Sequence, residues 1–167
     1  TYALAPVIRA ARQLEQSKPG RTRFVFCGDG EKGDAWRIEA RGLPNVEFTG
    51  WVDRDLLASL LQDADVGLAA YTPDAPQGIP NKVIEYMSAG LPIISSLGGE
   101  TEQLLREGAA GLSYTDDAGL VDAMTQLLDS ELRNHLAHGS HKIYTEHFDA
   151  RRVYAQYIHH IQKIARQ

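Results

Sequence analysis

The sequence predicts an α/β fold: a doubly wound, mostly parallel sheet with helices on both faces. Two observations lead there. Strand-like apolar runs of 4–6 residues alternate fourfold with stretches of helical periodicity. Glycine, proline or polar turns close most of these segments, helical or strand-like, as at Pro19-Gly20, Gly28-Asp29-Gly30, Thr49-Gly50 and Gly98-Gly99.

Taken in order, Leu4, Val7, Ile8, Ala11 and Leu14 mark a helix over 4–16 that Pro19-Gly20 stops. Phe24-Val25-Phe26-Cys27 is a short strand ended by Gly28-Asp29-Gly30, and a charged helix follows over 32–41. Val46-Glu47-Phe48 is the second strand. Asp53 then caps a helix carrying Leu56, Leu57, Leu60 and Leu61. The third strand spans 65–70, and a loop rich in proline, aspartate and glycine covers 72–80. A helix over 81–89 ends at Gly90, and Pro92-Ile93-Ile94-Ser95 makes the fourth strand. After Gly98-Gly99, a helix over 100–107 leads to a fifth strand at 111–114, and helices at 117–129, 131–146 and 149–166 complete the chain.

The chain opens on a helix, so the crossover into its first strand has no strand feeding it. In a sheet of order 3-2-1-4-5-6 the unfilled position is the central one. The sequence therefore reads as part of something longer.

A length of 167 residues suits one domain with a real core. With 17 Lys+Arg against 22 Asp+Glu, the net charge of −5 lacks the dense basic face that a nucleic-acid binder needs. One cysteine excludes a disulfide framework, and no Cys/His spacing suggests zinc. His135, His138 and His141 drift around a helix at spacing three without a further ligand, so no metal is expected. Cys27 is expected in the core. No apolar run reaches the ~18 residues of a membrane span. No basic leader precedes the first helix. A cytoplasmic location is expected, with the inner face of a membrane left open for a full-length protein.

Gly28-Asp29-Gly30-Glu31-Lys32-Gly33 fits G-x-G-x-x-G, and Glu47 lies 19 residues past Gly28, near the offset of a ribose-binding acid. This supports a dinucleotide-binding oxidoreductase fragment only weakly. That fingerprint belongs on the first strand-to-helix turn, and Gly33 sits in a polar run. Gly28 and Gly30 otherwise make the tight turn or approach another nucleotide.

The richest segment is Gln77-Gly78-Ile79-Pro80-Asn81-Lys82-Val83-Ile84-Glu85-Tyr86-Met87, a glycine-containing loop entering a helix at the carboxyl end of a parallel strand. Ligands bind at that edge, and a helix N-terminus offers free N–H groups to a phosphate. Lys82 adds a full charge or is a solvated surface lysine. Glu85, one turn on and on the side of Asn81 and Lys82, suits two vicinal sugar hydroxyls or a salt bridge. Ser95 to Glu102 repeats the design one strand later, making Gly98, Gly99 and Glu102 weaker candidates that capping also explains.

Together these residues resemble a family. Phe24 to Gly30, Asn45 to Val52, Ala64 to Leu68, Ile79 to Ile94 and Gly98 to Glu102 look like the C-terminal domain of GT-B glycosyltransferases, within them the retaining group 1, or family-four, transferases. The match covers nearly the whole chain. It implies one Rossmann-like domain over 1–167, with 131–167 a helical tail packed on it and the N-terminal acceptor domain absent. It also implies a UDP- or GDP-sugar donor, no cofactor and no metal. By the same resemblance, Glu85 holds the ribose, Thr49, Gly50, Trp51 and Val52 flank the base, and Gly28 and Gly30 line the cleft. Gly78, Asn81 and Lys82 meet the phosphates or sugar. Gln77 stands where the family has the first glutamate of its Glu-x7-Glu motif, which puts the usual role at the donor sugar in doubt. Asn81-Lys82 suggests surface-polysaccharide or glycolipid assembly. The family's basic diphosphate clamp belongs upstream of Thr1, so the isolated chain is expected to be inactive. A non-catalytic nucleotide-sugar-binding module is the alternative that Gln77 favours. The last helix carries Ala150, Tyr154, Tyr157, Ile161 and Ile164 in one seam, read first as packing on its own domain and otherwise as docking on the acceptor domain or on a second copy.

Overall fold

The computed structural model describes residues 1–76 and 78–165. It contains α1 (Leu4–Ser17), β1 (Phe24–Cys27), α2 (Gly33–Glu39), β2 (Val46–Gly50), α3 (Arg54–Asp63), β3 (Gly67–Ala69) and α4 (Asn81–Ser88). Then follow β4 (Ile93–Ser95), α5 (Glu100–Glu107), β5 (Gly111–Ser113), α6 (Asp117–Gln126), α7 (Ser130–Ile143), a π-helical turn (Tyr144–Phe148) and α8 (Ala150–Ile164).

All strand pairs are parallel, with Phe24 opposite Val46, Gly67 opposite Ile93 and Ile93 opposite Gly111. They form two sheets, β1-β2 and β3-β4-β5. The two sheets have pairings of the kind found in the 3-2 and 4-5-6 parts of the order 3-2-1-4-5-6. β1 and β3 each pair with a single strand among the described residues. The expected α/β fold is what forms.

Two apolar layers hold it together. Val7, Ala10 and Leu14 of α1 meet Leu120, Ala123 and Met124 of α6, together with Ile94, Tyr114 and Leu136. Phe24 and Phe26 of β1 and Leu68 of β3 lean on this same layer, so it ties the two sheets together. Residue alternation turns Ile93 to the other face, where it packs with Val83 and Met87 of α4, Leu105 of α5 and Ile143. Each fully buried Ile or Met contributes about 1.5–3 kcal/mol relative to exposure. Helix starts follow the sequence where an acid is available: the Asp53 carboxylate accepts from Leu56 N at 2.8 Å and that of Asp116 from Gly119 N at 2.7 Å.

Three expectations need correction. Cys27 is exposed, not core. It ends β1, a strand that is half-buried elsewhere and, among the described residues, paired on one side only, which leaves its end exposed. The helix expected over 131–146 ends at Ile143 and widens into the π-turn, which carries Tyr144 and Phe148 onto the second apolar layer. The tail is also not packed on the domain throughout. Leu136, Ser140 and Ile143 of α7 are buried, whereas α8 buries nothing. Asp149 caps a fresh helix there, accepting from Arg152 N at 3.1 Å, and α8 leads away with Tyr154, Tyr157, Ile158, Ile161 and Ile164 all exposed.

Candidate functional site

The carboxyl ends of the strands gather most of the predicted residues. At the β1-β2 end, Gly28 N donates to Gly50 O at 2.7 Å, and both glycines have positive φ (116° and 68°), which other residues adopt only with strain. Thr49 Oγ1 donates to Gly50 O at 3.0 Å, fixing the same corner. Trp51 projects from it 83% exposed, with Val52 half-buried beside it. Arg37 braces the facing Gly28–Gly30 loop: its Nη2 donates to Asp29 Oδ1 at 3.0 Å while the guanidinium lies 5.7 Å from the Phe48 ring centroid. The Asp29 hydrogen bond raises the Arg37 pKa further.

Gly33 opens α2 between the side chains of Asp29 and Arg37, without the close helix-on-sheet contact of a dinucleotide fingerprint. Glu47 is paired with Arg23 on the exposed face of β2. Neither observation favours the dinucleotide reading.

β3 delivers the second group. Tyr86 of α4 lays its ring over Gly67, where any Cβ would collide with it, and its hydroxyl donates to Leu68 O at 3.3 Å. Burial pushes this phenol well above its ordinary value. That anchor seats α4 on β3, so Asn81, Lys82 and Glu85 come to the sheet edge. Asn81 and Glu85 are exposed and Lys82 is half-buried. Among the described residues, neither Lys82 nor Glu85 forms an ion pair. The Lys82 Nζ instead sits 4.1 Å from the Tyr2 ring centroid and 5.9 Å from that of Tyr71. Tyr71, directly after β3, is only 4% exposed, and burial first, then neighbouring Tyr2, push its phenol up to about 12. Ser96, after β4, locks this corner: its hydroxyl accepts from Tyr71 N at 2.8 Å and donates to Tyr71 O at 2.9 Å.

Gly78 joins α4 to α5. Its carbonyl accepts a short hydrogen bond from the buried Thr101 hydroxyl, and the Glu100 carboxylate lies against it. The N-terminal ends of two helices thus meet at one loop. Gly98 and Gly99 lie at the start of α5. Glu102 stands on the opposite side of α5 from Glu100. There it lines a groove with Leu105, Leu112 and Leu136, and its carboxylate lies near Gly98. Gln77 lies outside the described residues. His135, His138 and His141 follow one another along α7, and among the described residues no three His, Cys, Asp or Glu side chains converge.

Sequence reasoning missed Tyr2 and Tyr71, and it read Glu100 as a capping acid without its contact to Gly78. The place directly after a parallel strand is a ligand edge and could have marked Tyr71. Nothing local marked Tyr2, whose partners lie about 70 residues away in the chain.

A family model for glycosyl transferases group 1 matches residues 2–130. The chain belongs to that family. Similar proteins include the Vi polysaccharide biosynthesis protein VipC/TviE of Salmonella typhi, 32% identical over 68% of this chain and 19% of its own length. The lipopolysaccharide core biosynthesis glycosyltransferase LpsE of Rhizobium meliloti is 28% identical over 80% of this chain and 39% of its own. The chain spans only 19–39% of the length of such relatives. Its fold is that of the C-terminal domain of the group 1 family protein LpcC from Francisella tularensis, with a TM-score of 0.75 at 18% identity over 90% of this chain and 81% of that one. WaaG, a glycosyltransferase involved in lipopolysaccharide biosynthesis, gives 0.69 at 21% identity over 86% and 39%. No described helix is long and apolar enough to cross a membrane.

Proposed function

We propose that this chain is the donor-binding half of a glycosyltransferase that moves a sugar, with retention, from a nucleoside diphosphate sugar to a polysaccharide or glycolipid acceptor. The observation that carries the reading is the pair Lys82 and Glu85, in no ion pair among the described residues and one turn apart at the carboxyl edge of the sheet. Glu85 accepts hydrogen bonds from both ribose hydroxyls, and charge-assisted bonds of this kind are the stronger sort. Lys82 and the free N–H groups at the start of α4 meet the diphosphate. Trp51 and its neighbours flank the base beside Gly28 and Gly30, at the corner that the Gly28–Gly50 hydrogen bond closes. The chain's own contribution to catalysis is then positioning and stabilisation of the departing phosphate, with neither metal nor cofactor. Such an enzyme works on the cytoplasmic side, where nucleotide sugars are made.

Titrating the chain calorimetrically with UDP, GDP and NADH tests this. One of the two diphosphates should bind while NADH does not; NADH binding alone would restore the oxidoreductase reading. Binding without transfer in a full-length protein would favour a non-catalytic module, the reading that Gln77 supports.

The exposed seam of α8 is the proposed docking face for the acceptor-binding domain, with a second copy as its competitor. Sedimentation of the chain and of Ile161→Asp separates the two. A dimer abolished by the substitution assigns the seam to a copy, and a monomer in both cases leaves it to the acceptor domain.

A further inference from the structure

Lysine is poorly placed at the second residue of a helix. The N-terminal end of the peptide dipoles is already positive, so a cation there is repelled, and cations belong at the other end. α4 has no acid in its first turn to offset this. Glu85, three residues on, is within reach for a helix-surface pair, yet the two do not form one. The ammonium turns instead toward two aromatic faces contributed by distant parts of the chain.

Those faces are fixed in place. Thr72 N donates to Thr1 O at 2.8 Å and Ala3 N to Ala70 O at 3.2 Å, so Tyr2 is bridged antiparallel to Tyr71. The rings lie 5.2 Å apart at 44°. Tyr71 is held through both backbone groups by Ser96. An ammonium over such a surface keeps its full charge and leaves N–H bonds free, whereas a carboxylate partner would neutralise it.

We propose that Tyr2 and Tyr71 are positioning residues, which hold the Lys82 ammonium at the sheet edge, in no ion pair among the described residues, for the phosphate groups of the donor. The inference rests on the donor-site reading above and adds to it what keeps its main cation in place. Tyr2 is the residue to vary, because it is 45% exposed and its ring is not part of the apolar layers.

Two measurements on Tyr2→Leu and Tyr2→Phe decide the matter, with thermal melting as the folding control. The first needs no ligand. By NMR, ring currents should shift the Lys82 ε-methylene protons upfield in the parent and in Tyr2→Phe, and the shift should shrink in Tyr2→Leu. Equal shifts in all three would show that Tyr2 does not hold the lysine. The second is calorimetric affinity for UDP and GDP beside the bare nucleosides. Tyr2→Leu should weaken the diphosphate that binds by roughly two- to five-fold, leave the nucleoside unchanged, and have no effect once Lys82→Ala is present. Tyr2→Phe should restore parent affinity. Unchanged diphosphate affinity in Tyr2→Leu overturns the proposal. If the parent binds neither diphosphate, the donor reading and the phosphate role fall together, while the NMR shift separately decides the contact.

Discussion

Glu85→Ala is expected to weaken nucleoside diphosphate binding by roughly a hundredfold or more, with thermal stability almost unchanged. The carboxylate is exposed, and among the described residues it is in no ion pair, so folding does not depend on it. Surface changes of that sort stay within about 0.5 kcal/mol. In the proposed complex it accepts from two ribose hydroxyls. Hydrogen bonds to a charged group are worth about 1.5–3 kcal/mol each, and about 1.4 kcal/mol is tenfold in affinity. Glu85→Gln keeps an acceptor but loses the charge, so it should fall between parent and alanine. A calorimetric titration of the three proteins with UDP and GDP makes the comparison. Parent-like affinity in Glu85→Ala would remove this residue from the site.

The second large effect concerns stability. Gly139→Val should destabilise the chain by about 3 kcal/mol, at the upper end of overpacking costs. On a domain of this size that lowers the melting temperature by roughly 6–12 °C. α7 crosses the turn between α5 and β5 with backbone against backbone. A Cβ on Gly139 would lie within 2.7 Å of the Ala109 carbonyl carbon and closer still to the Ala109 and Gly108 oxygens. Those atoms belong to a turn that cannot yield easily, since Ala109 already holds φ at 46°. Calorimetric melting of Gly139→Ala and Gly139→Val is the check, and an unchanged midpoint for the valine variant would show that α7 can lift off the turn.

The alternation of strands and helices was legible because each element carries its own signal. Leu4 to Leu14 has the period of a helix, and Asp53 and Asp116 place their helix starts by a side-chain bond within three residues. The edge position of Lys82 and Glu85 was legible for a similar reason, because strand, loop and helix follow one another directly. What escaped depends on partners distant in sequence. Cys27 looks apolar and strand-bound, but its burial is decided by which strand lies beside β1. α8 has a seam as regular as that of α1, and periodicity does not say what covers it. Tyr2 holds Lys82 only because the chain's first residues bridge to those after β3.

The division of the sheet has a consequence for how the molecule opens. An isolated pair of strands is marginal on its own, and of the helices that follow β1 and β2 in the chain, α2 buries only Gly33 and α3 has no buried residue. β3-β4-β5 is clamped between both apolar layers. The molecule thus combines a strong foldon with a weak one, and fluctuations short of global unfolding concentrate in the weak one. The corner that presents Trp51 belongs to the weak unit, while Lys82 and Glu85 belong to the strong one. A ligand touching both would act as a brace across the seam, so occupancy should quiet local opening on the Trp51 side far more than around α4.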